Sequence, residues 1–202
     1  LELTTRHHAR RARALVADSA ATAADLATFF RVPPDRIHVV HLGVDADLAP
    51  PAAADVARLR ARLGLDGADP LVVHVGTRQP RKNLPRLIGA VARLAPDHPA
   101  IALVVAGRAG WGGEDLAAVA RRAGVADRVR IIDYVDRADL PGLYGAATVV
   151  AVPSLHEGFG LPVLEAMACG AVVAASGTSS LPEVGGEAAA YFDPLDEAEM
   201  AG

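Results

Sequence analysis

From residue 71 onward the chain repeats one unit: a short, β-branched apolar run, a turn containing glycine, then a stretch whose apolar residues recur at helical spacing. The runs fall at 71–75, 101–106, 129–132, 148–152 and 171–175, with a weaker one at 189–192, and the helical stretches at 84–94, 114–123, 138–146 and 162–169. None of the runs alternates apolar with polar residues, which is the pattern of a strand buried on both faces. Strand and helix alternating at this pitch make βαβ units, so the predicted fold is α/β, a doubly wound parallel sheet. Such sheets bind ligands in the crevice beyond the C-terminal ends of their strands. Function is therefore expected in the glycine-rich loops that follow strands.

Residues 1–50 read differently. A strand at 14–17, a helix at 19–30 capped by Ser19, and a strand at 37–42 form one isolated βαβ unit. A linker rich in Pro and Ala and a charged helix at 55–63 follow. We read residues 1–50 as the tail of a preceding Rossmann-like domain with its crossover, 51–70 as linker and helix, and 71–202 as a ligand-binding domain. The last residues, Asp196-Glu197-Ala198-Glu199-Met200, stop as a helix begins, so an excerpt of a two-domain protein is expected. No internal repeat or low-complexity tract is visible.

Composition narrows the function classes. Hydrophobic residues make up 51% and charged residues 22% of the 202, which is globular and far from the disordered class. A net charge of -4 argues against nucleic acid as the partner. The lone Cys169 excludes an internal disulfide framework and fits a reducing compartment. No apolar run approaches the ~20 residues of a membrane span, and the N-terminus has no signal-peptide pattern, so a cytoplasmic location is expected. Arg6, Arg10, Arg11 and Arg13 form a basic stripe. It reads as a solvated helix face, with peripheral docking at an anionic inner-membrane surface as the alternative. Lys82 is the only lysine among 20 basic residues, which makes its position informative.

Four segments carry chemistry. In Pro153-Ser154-Leu155-His156-Glu157-Gly158-Phe159-Gly160-Leu161-Pro162, two glycines allow close backbone approach to a ligand, and Pro162 suits a first helical turn. The helix N-terminus favours an anion such as a diphosphate. Glu157 and Glu165, eight residues apart, are acceptors suited to sugar or ribose hydroxyls. The plain alternative is a strand–turn–helix with surface glutamates. Gly76-Thr77-Arg78-Gln79-Pro80-Arg81-Lys82-Asn83 sets three cations after a strand, where they can neutralise a leaving phosphate or simply be solvated. Asp133-Tyr134-Val135-Asp136 is a connection that could hold a nucleobase. Ser180 and Glu183 have capping-box spacing, which makes Glu183 a helix cap rather than a catalyst.

With these segments in this order, the chain resembles the retaining GT-B glycosyltransferases of family 4, the glycosyl transferases group 1, over roughly residues 71–195. His41-Leu42-Gly43-Val44-Asp45 resembles the crossover from the first domain. The resemblance implies that residues 71–202 bind a nucleoside-diphosphate sugar, with GDP-mannose as the donor that the Pro-Arg-Lys-Asn and Leu-Pro-Glu-Val variants suggest. It implies transfer to an acceptor sugar, lipid or small molecule with retention, without metal or cofactor. Glu157 matches the glutamate that faces the donor sugar, Glu165 the one that binds ribose, and Lys82 the diphosphate lysine. Thr77 stands where the family's arginine usually follows the glycine, which leaves Arg78 and Arg81 as alternatives. Glu157, Lys82 and Arg78 are thus the candidate catalytic residues. Gly76, Arg81, Val135, Phe159, Gly160, Leu161 and Glu165 are the candidate donor contacts.

Two other readings stay open. Gly158-Phe159-Gly160 begins a dinucleotide fingerprint of an NAD-dependent oxidoreductase, but Val163 stands where its third glycine belongs. A non-catalytic nucleotide-sugar-binding module is the other, since the chain alone is expected to turn over little. Asp45-Ala46-Asp47 spells a metal signature of other glycosyltransferases, with no metal expected here. His156 is read as structural or pocket-lining, Trp111 as covering a loop, and Cys169 as inert.

Overall fold

The structure, a computed structural model, describes residues 2–67 and 69–202. The elements in chain order are α1 (Glu2–Arg11), β1 (Leu15–Ala17), α2 (Ala20–Phe30), β2 (Ile37–Val39), α3 (Ala53–Arg62), β3 (Leu71–Val75), α4 (Leu84–Leu94), β4 (Ala102–Ala106), α5 (Leu116–Arg122), β5 (Val129–Ile132), α6 (Leu140–Ala146), β6 (Val149–Val152), α7 (Leu161–Ala168), β7 (Val173–Ser176), α8 (Leu181–Gly185), β8 (Ala189–Phe192) and α9 (Glu197–Ala201). Among the described residues no helix is long and apolar enough to cross a membrane.

Six strands form one sheet in the order β5-β4-β3-β6-β7-β8, every neighbouring pair parallel. The chain winds outward from β3 to β5, then returns to the other side of β3 to place β6. Winding therefore reverses between β3 and β6, the position at which sheets of this kind offer a ligand crevice. On one face Leu71, Val73, Val104 and Val150 meet Leu59, Leu143, Tyr144, Val163 and Leu181 from α3, α6, α7 and α8. On the other, Val72, Leu103, Val105 and Ala151 meet α4 and α5. Leu84, Leu87, Ile88 and Val91 of α4 are all buried, the spacing of a single helical stripe. Because both faces are covered, β3 shows no alternation.

β5 departs from that expectation. Arg130 and Ile131 are exposed and Val129 and Ile132 only half-buried. β5 pairs with β4 alone, so its outer side faces solvent, where the charge of Arg130 blunts the open edge. Trp111 is likewise 74% exposed and does not cover the loop assigned to it.

β1 and β2 form a separate two-stranded parallel sheet, with Leu15 opposite Ile37. Ser19 caps α2 as expected, accepting from the Thr22 N–H. The crossover then joins the larger body: Leu48 is buried in its core, and Pro51 lies where a Cβ on Gly145 would come within 2.3 Å of it. The Arg6, Arg10, Arg11 and Arg13 stripe is exposed.

One close approach fixes the rim of the crevice. Gly107 leaves β4 with φ 150, and a Cβ there would fall 2.0 Å from the Gly76 carbonyl oxygen. Backbone has to move to admit any side chain, and such overpacking costs about 1–3 kcal/mol. Gly107→Ala is therefore expected to lower the stability measured by urea unfolding by about 1–3 kcal/mol, whereas Gly43→Ala, with nothing within 4 Å of the added Cβ, leaves it unchanged.

Candidate functional site

The two loops flanking the crevice are stitched to each other. After β3, a β-bridge between Arg78 and Ala109 draws the chain toward β4, with the Arg78 N–H donating to the Arg108 carbonyl at 2.9 Å. The Arg78 guanidinium continues in that direction and pairs with Asp133 at 2.5 Å. A single 3-10 turn, Pro80–Lys82, with proline in its first positions, then reverses the chain and ends at Asn83 with φ 57. That reversal points Arg81 and Lys82 toward the loop after β6. The Asn83 amide donates to the carbonyls of Pro153 (3.0 Å) and Pro194 (2.7 Å), and the Leu155 N–H donates to the Arg81 carbonyl at 2.8 Å.

At the junction, Lys82 Nζ lies 2.5 Å from Glu157 Oε1, and an Arg81 guanidinium N–H lies 2.5 Å from Glu157 Oε2. Ser154 donates to Glu157 Oε1 at 2.7 Å, and Arg81 also donates to the His156 carbonyl at 3.1 Å. Lys82 and Glu157 are buried, while the Arg81 side chain remains 44% exposed. Burial works to raise the Glu157 pKa. It is outweighed by the Lys82 charge and by hydrogen bonds from Lys82, Ser154 and Arg81, which hold the carboxyl below its ordinary value. Two cations around one carboxylate leave a net positive charge at a strand rim, an arrangement suited to an anion that carries hydroxyls beside it.

The turn into α7 is held on both sides. Ser179 and Ser180 donate to the Glu157 carbonyl at 2.5 and 3.0 Å, and Ser180 also donates to the Phe159 carbonyl at 2.7 Å. Ser19 and Thr22 of the N-terminal unit donate to the Gly158 carbonyl at 2.5 and 3.0 Å. Gly160 sits at the N-cap of α7 with φ 109, where a Cβ would meet Leu181 at 2.8 Å, and Pro162 occupies the first turn. Phe159 is buried, with its ring centroid 6.0 Å from that of His41; Leu161 keeps 38% of its surface exposed. Glu183 is a cap, but of another helix. Its carboxylate accepts from the N–H groups of Ala20 and Ala21 at the start of α2 and pairs with His41 at 2.6 Å, whereas Ser180 makes no capping bond to α8. His156 pairs with Asp25 of α2 at 2.9 Å.

Residues 55–201 match the family model described as glycosyl transferases group 1, and residues 2–48 match that of glycosyltransferase family 4. The chain belongs to the glycosyl transferases group 1. It is 35% identical over 173 residues to the O-antigen chain mannosyltransferase B of Escherichia coli, covering 85% of this chain and 45% of that protein. It is 41% identical over 179 residues to the D-inositol 3-phosphate glycosyltransferase of Salinispora arenicola, covering 83% and 40%. Among solved structures, Anabaena HepE in complex with UDP and glucose superposes with a TM-score of 0.87 at 27% identity, over 99% of this chain and 55% of that one. The fold is that of the GT-B glycosyltransferases. The chain spans about half the length of the curated relatives it matches, or less.

Lys82 and Arg81 thus meet at Glu157, Gly76 borders Lys82, and Phe159, Gly160 and Leu161 follow Glu157 in the turn into α7, whereas Arg78 is paired with Asp133. Glu165, half-buried on α7, accepts from the buried Tyr144 hydroxyl at 2.8 Å. Burial and the Glu165 charge push the Tyr144 pKa upward. The same two causes raise the Cys169 thiol, which is buried. Val135 is half-buried against the core, and Arg108 lies over the exposed Tyr134 ring, 5.3 Å from its centroid. Asp45 pairs with Arg137, with Asp47 3.7 Å from the same guanidinium. Among the described residues no cluster of three or more His, Cys, Asp or Glu is arranged to hold a metal ion.

Sequence reasoning missed His74, which lies one residue from the C-terminal end of β3 with no exposed surface. Its Nδ1 is 2.9 Å from the Ala151 carbonyl, an acceptor, so Nδ1 carries the proton and Nε2 the lone pair. Burial is the main cause that pushes its pKa from 6.5 down to about 4; Lys82 adds to it, and the Ala151 bond and Glu157 oppose it. The unfolded chain therefore takes up a proton at a higher pH than the native ring does. The stability tied to the neutral ring is full above pH 6.5 and is lost as the pH falls toward about 4. Glu157 acts in the same direction only below its ordinary 4.5. From pH 6.5 to 4.5, urea unfolding of the wild type is expected to lose about 2 kcal/mol more than that of His74→Gln.

Proposed function

We propose that this chain supplies the donor-binding half of a glycosyltransferase that moves a sugar from a nucleoside diphosphate to an acceptor hydroxyl, with retention of configuration and without a metal. The observation that carries the reading is the Lys82–Glu157–Arg81 cluster at the crevice where the winding of the sheet reverses. The bond between the anomeric carbon and the diphosphate oxygen breaks, and the diphosphate leaves with that electron pair. Lys82, Arg81 and the N-terminus of α7 stabilise the developing charge. The acceptor oxygen forms the new bond on the face the diphosphate leaves, and its proton passes to the departing phosphate. Glu157, held ionised by its cations, accepts from hydroxyls of the donor sugar, and Glu165 from those of the ribose.

Between the two arginines, the reading assigns the phosphate charge to Arg81. It shares Glu157 with Lys82, whereas Arg78 is paired with Asp133 at the far side of the rim. Val135 contacts the base. The donor is proposed to be GDP-mannose, in keeping with the mannosyltransferase among its relatives, although the HepE complexes hold UDP or UDP-glucose and keep a uridine donor as the competitor. The acceptor is a sugar, a lipid or a small molecule, contacted by groups outside this chain.

Calorimetric titration of the chain with GDP and UDP tests the reading. Lys82→Met and Arg81→Met are each expected to weaken diphosphate binding about 10- to 100-fold, the worth of a charge-assisted hydrogen bond, and Arg78→Met less than about 3-fold. In the complete enzyme, loss of one preorganised donor lowers the transfer rate about 10²–10³-fold. A larger loss in Arg78→Met than in Arg81→Met reverses the assignment of the arginine. Equal binding of NADH and nucleoside diphosphate would overturn the transferase reading.

A further inference from the structure

The buried histidine of β3 has a use that the diphosphate site supplies. His74 spends its one N–H on the Ala151 carbonyl, and its Nε2 is buried with no hydrogen-bond partner. An unpaired buried acceptor is costly, so this ring is an expensive choice near the C-terminal end of an otherwise apolar strand. The lone pair does not face hydrocarbon. A Cβ placed on Gly76 would lie 3.3 Å from Nε2, 3.4 Å from Lys82 Cε and 3.4 Å from Lys82 Nζ. The imidazole acceptor and the ammonium thus border the same small space, which stays open because residue 76 has no side chain.

An ammonium has three N–H donors. One meets Glu157 Oε1 at 2.5 Å. We infer that His74 is a positioning residue for donor binding: when a donor phosphate draws the ammonium toward it, the Nε2 lone pair, unpaired in the ligand-free chain, takes a second N–H of Lys82 across the space at Gly76, so that the third is aimed at the phosphate. The inference rests on the assignment of Lys82 to the diphosphate. With Glu157 alone as partner, the ammonium is free to rotate about the Cε–Nζ bond and the side chain to pivot. With a second acceptor waiting on the other side, the ammonium that meets the phosphate settles in one orientation rather than several, which makes its electrostatic contact effective. A ring kept neutral serves this purpose, since a protonated one would present a donor and a like charge to Lys82. Burial, which pushes the His74 pKa down to about 4, keeps it in that form.

The test is a double-mutant cycle read by calorimetry on the full chain, with UDP and GDP as ligands and UMP and GMP as single-phosphate controls. His74→Asn keeps a donor for Ala151 and removes the acceptor at the Nε2 position; His74→Gln restores an acceptor there. His74→Asn is expected to weaken diphosphate binding about 5- to 10-fold with a smaller effect on the monophosphates, and His74→Gln to recover it to within about 2-fold. In a Lys82→Met background His74→Asn should have no further effect. The same loss in that background, or none in the wild type, overturns the inference while leaving the diphosphate assignment intact. Lys82→Met binding UDP and GDP like wild type removes both together. Should His74→Asn fail to fold, 15N spectra of wild-type His74 decide: the Nε2 resonance is expected to shift on adding UDP or GDP in the wild type and not in Lys82→Met, and an unmoved resonance overturns the inference.

Discussion

The crevice depends on one buried ion pair. Removing a lysine and a glutamate from water costs several kcal/mol per ion, and their mutual attraction offsets this only when the geometry is close and the remaining polar atoms are satisfied. Here the carboxylate meets Lys82 and Arg81 at 2.5 Å each and Ser154 at 2.7 Å. Removing either Lys82 or Glu157 leaves its buried partner's charge without its closest counter-charge, so the pair holds the two loops in register more than it adds to net stability. The Asn83 amide and the Leu155–Arg81 backbone bond serve the same end by fixing the loops to each other without charge.

Lys82 and Glu157 stand 75 positions apart in the chain and meet because of strand order. β3 and β6 are neighbours only because the chain, having wound outward through β4 and β5, returns to the opposite side of β3. All strands are parallel, so every strand-to-helix loop emerges at the same edge, and the reversal sets the loops after β3 and β6 side by side there, where Lys82 and Glu157 meet. The hydrophobic pattern dictates this without any polar instruction: runs buried on both faces demand helices above and below, which parallel crossovers supply.

That logic is why most of the fold was legible. The strands at 71–75, 129–132 and 189–192 and the helix at 84–94 match their expected bounds, because periodicity and β-branched content report burial directly. What failed was information that only tertiary partners carry. The exposed half of β5 follows from its place at the edge, which no local pattern encodes. Ser180 and Glu183 have capping-box spacing, yet the serine bonds the carbonyls of Glu157 and Phe159 and the glutamate reaches α2 instead. Lys82 sits in a charge run that can simply be solvated; its singularity in an arginine-rich chain and its match to the family's diphosphate lysine marked it. Whether Arg78 or Arg81 turns toward Glu157 depends on a single 3-10 turn and a one-residue bridge to Ala109, both below the reach of periodicity. His74 gave no signal at all, since a histidine within an apolar run has no spacing to betray a partner.

The hydroxyl groups around the turn into α7 show how the neutral part of the site is ordered. A peptide unit facing an anion can present its N–H or, after a flip, its carbonyl, and the second is repulsive. Three successive carbonyls, those of Glu157, Gly158 and Phe159, are each taken by serine or threonine hydroxyls from outside the turn. Flipping any of these peptides would break at least one such bond in a largely buried setting. Two of the hydroxyls, those of Ser19 and Thr22, come from the N-terminal unit, whose helix α2 is itself tied by Glu183 and His156. The orientation of the turn into α7 is therefore set jointly by the two units, through the Gly158 carbonyl as well as through Glu183 and His156.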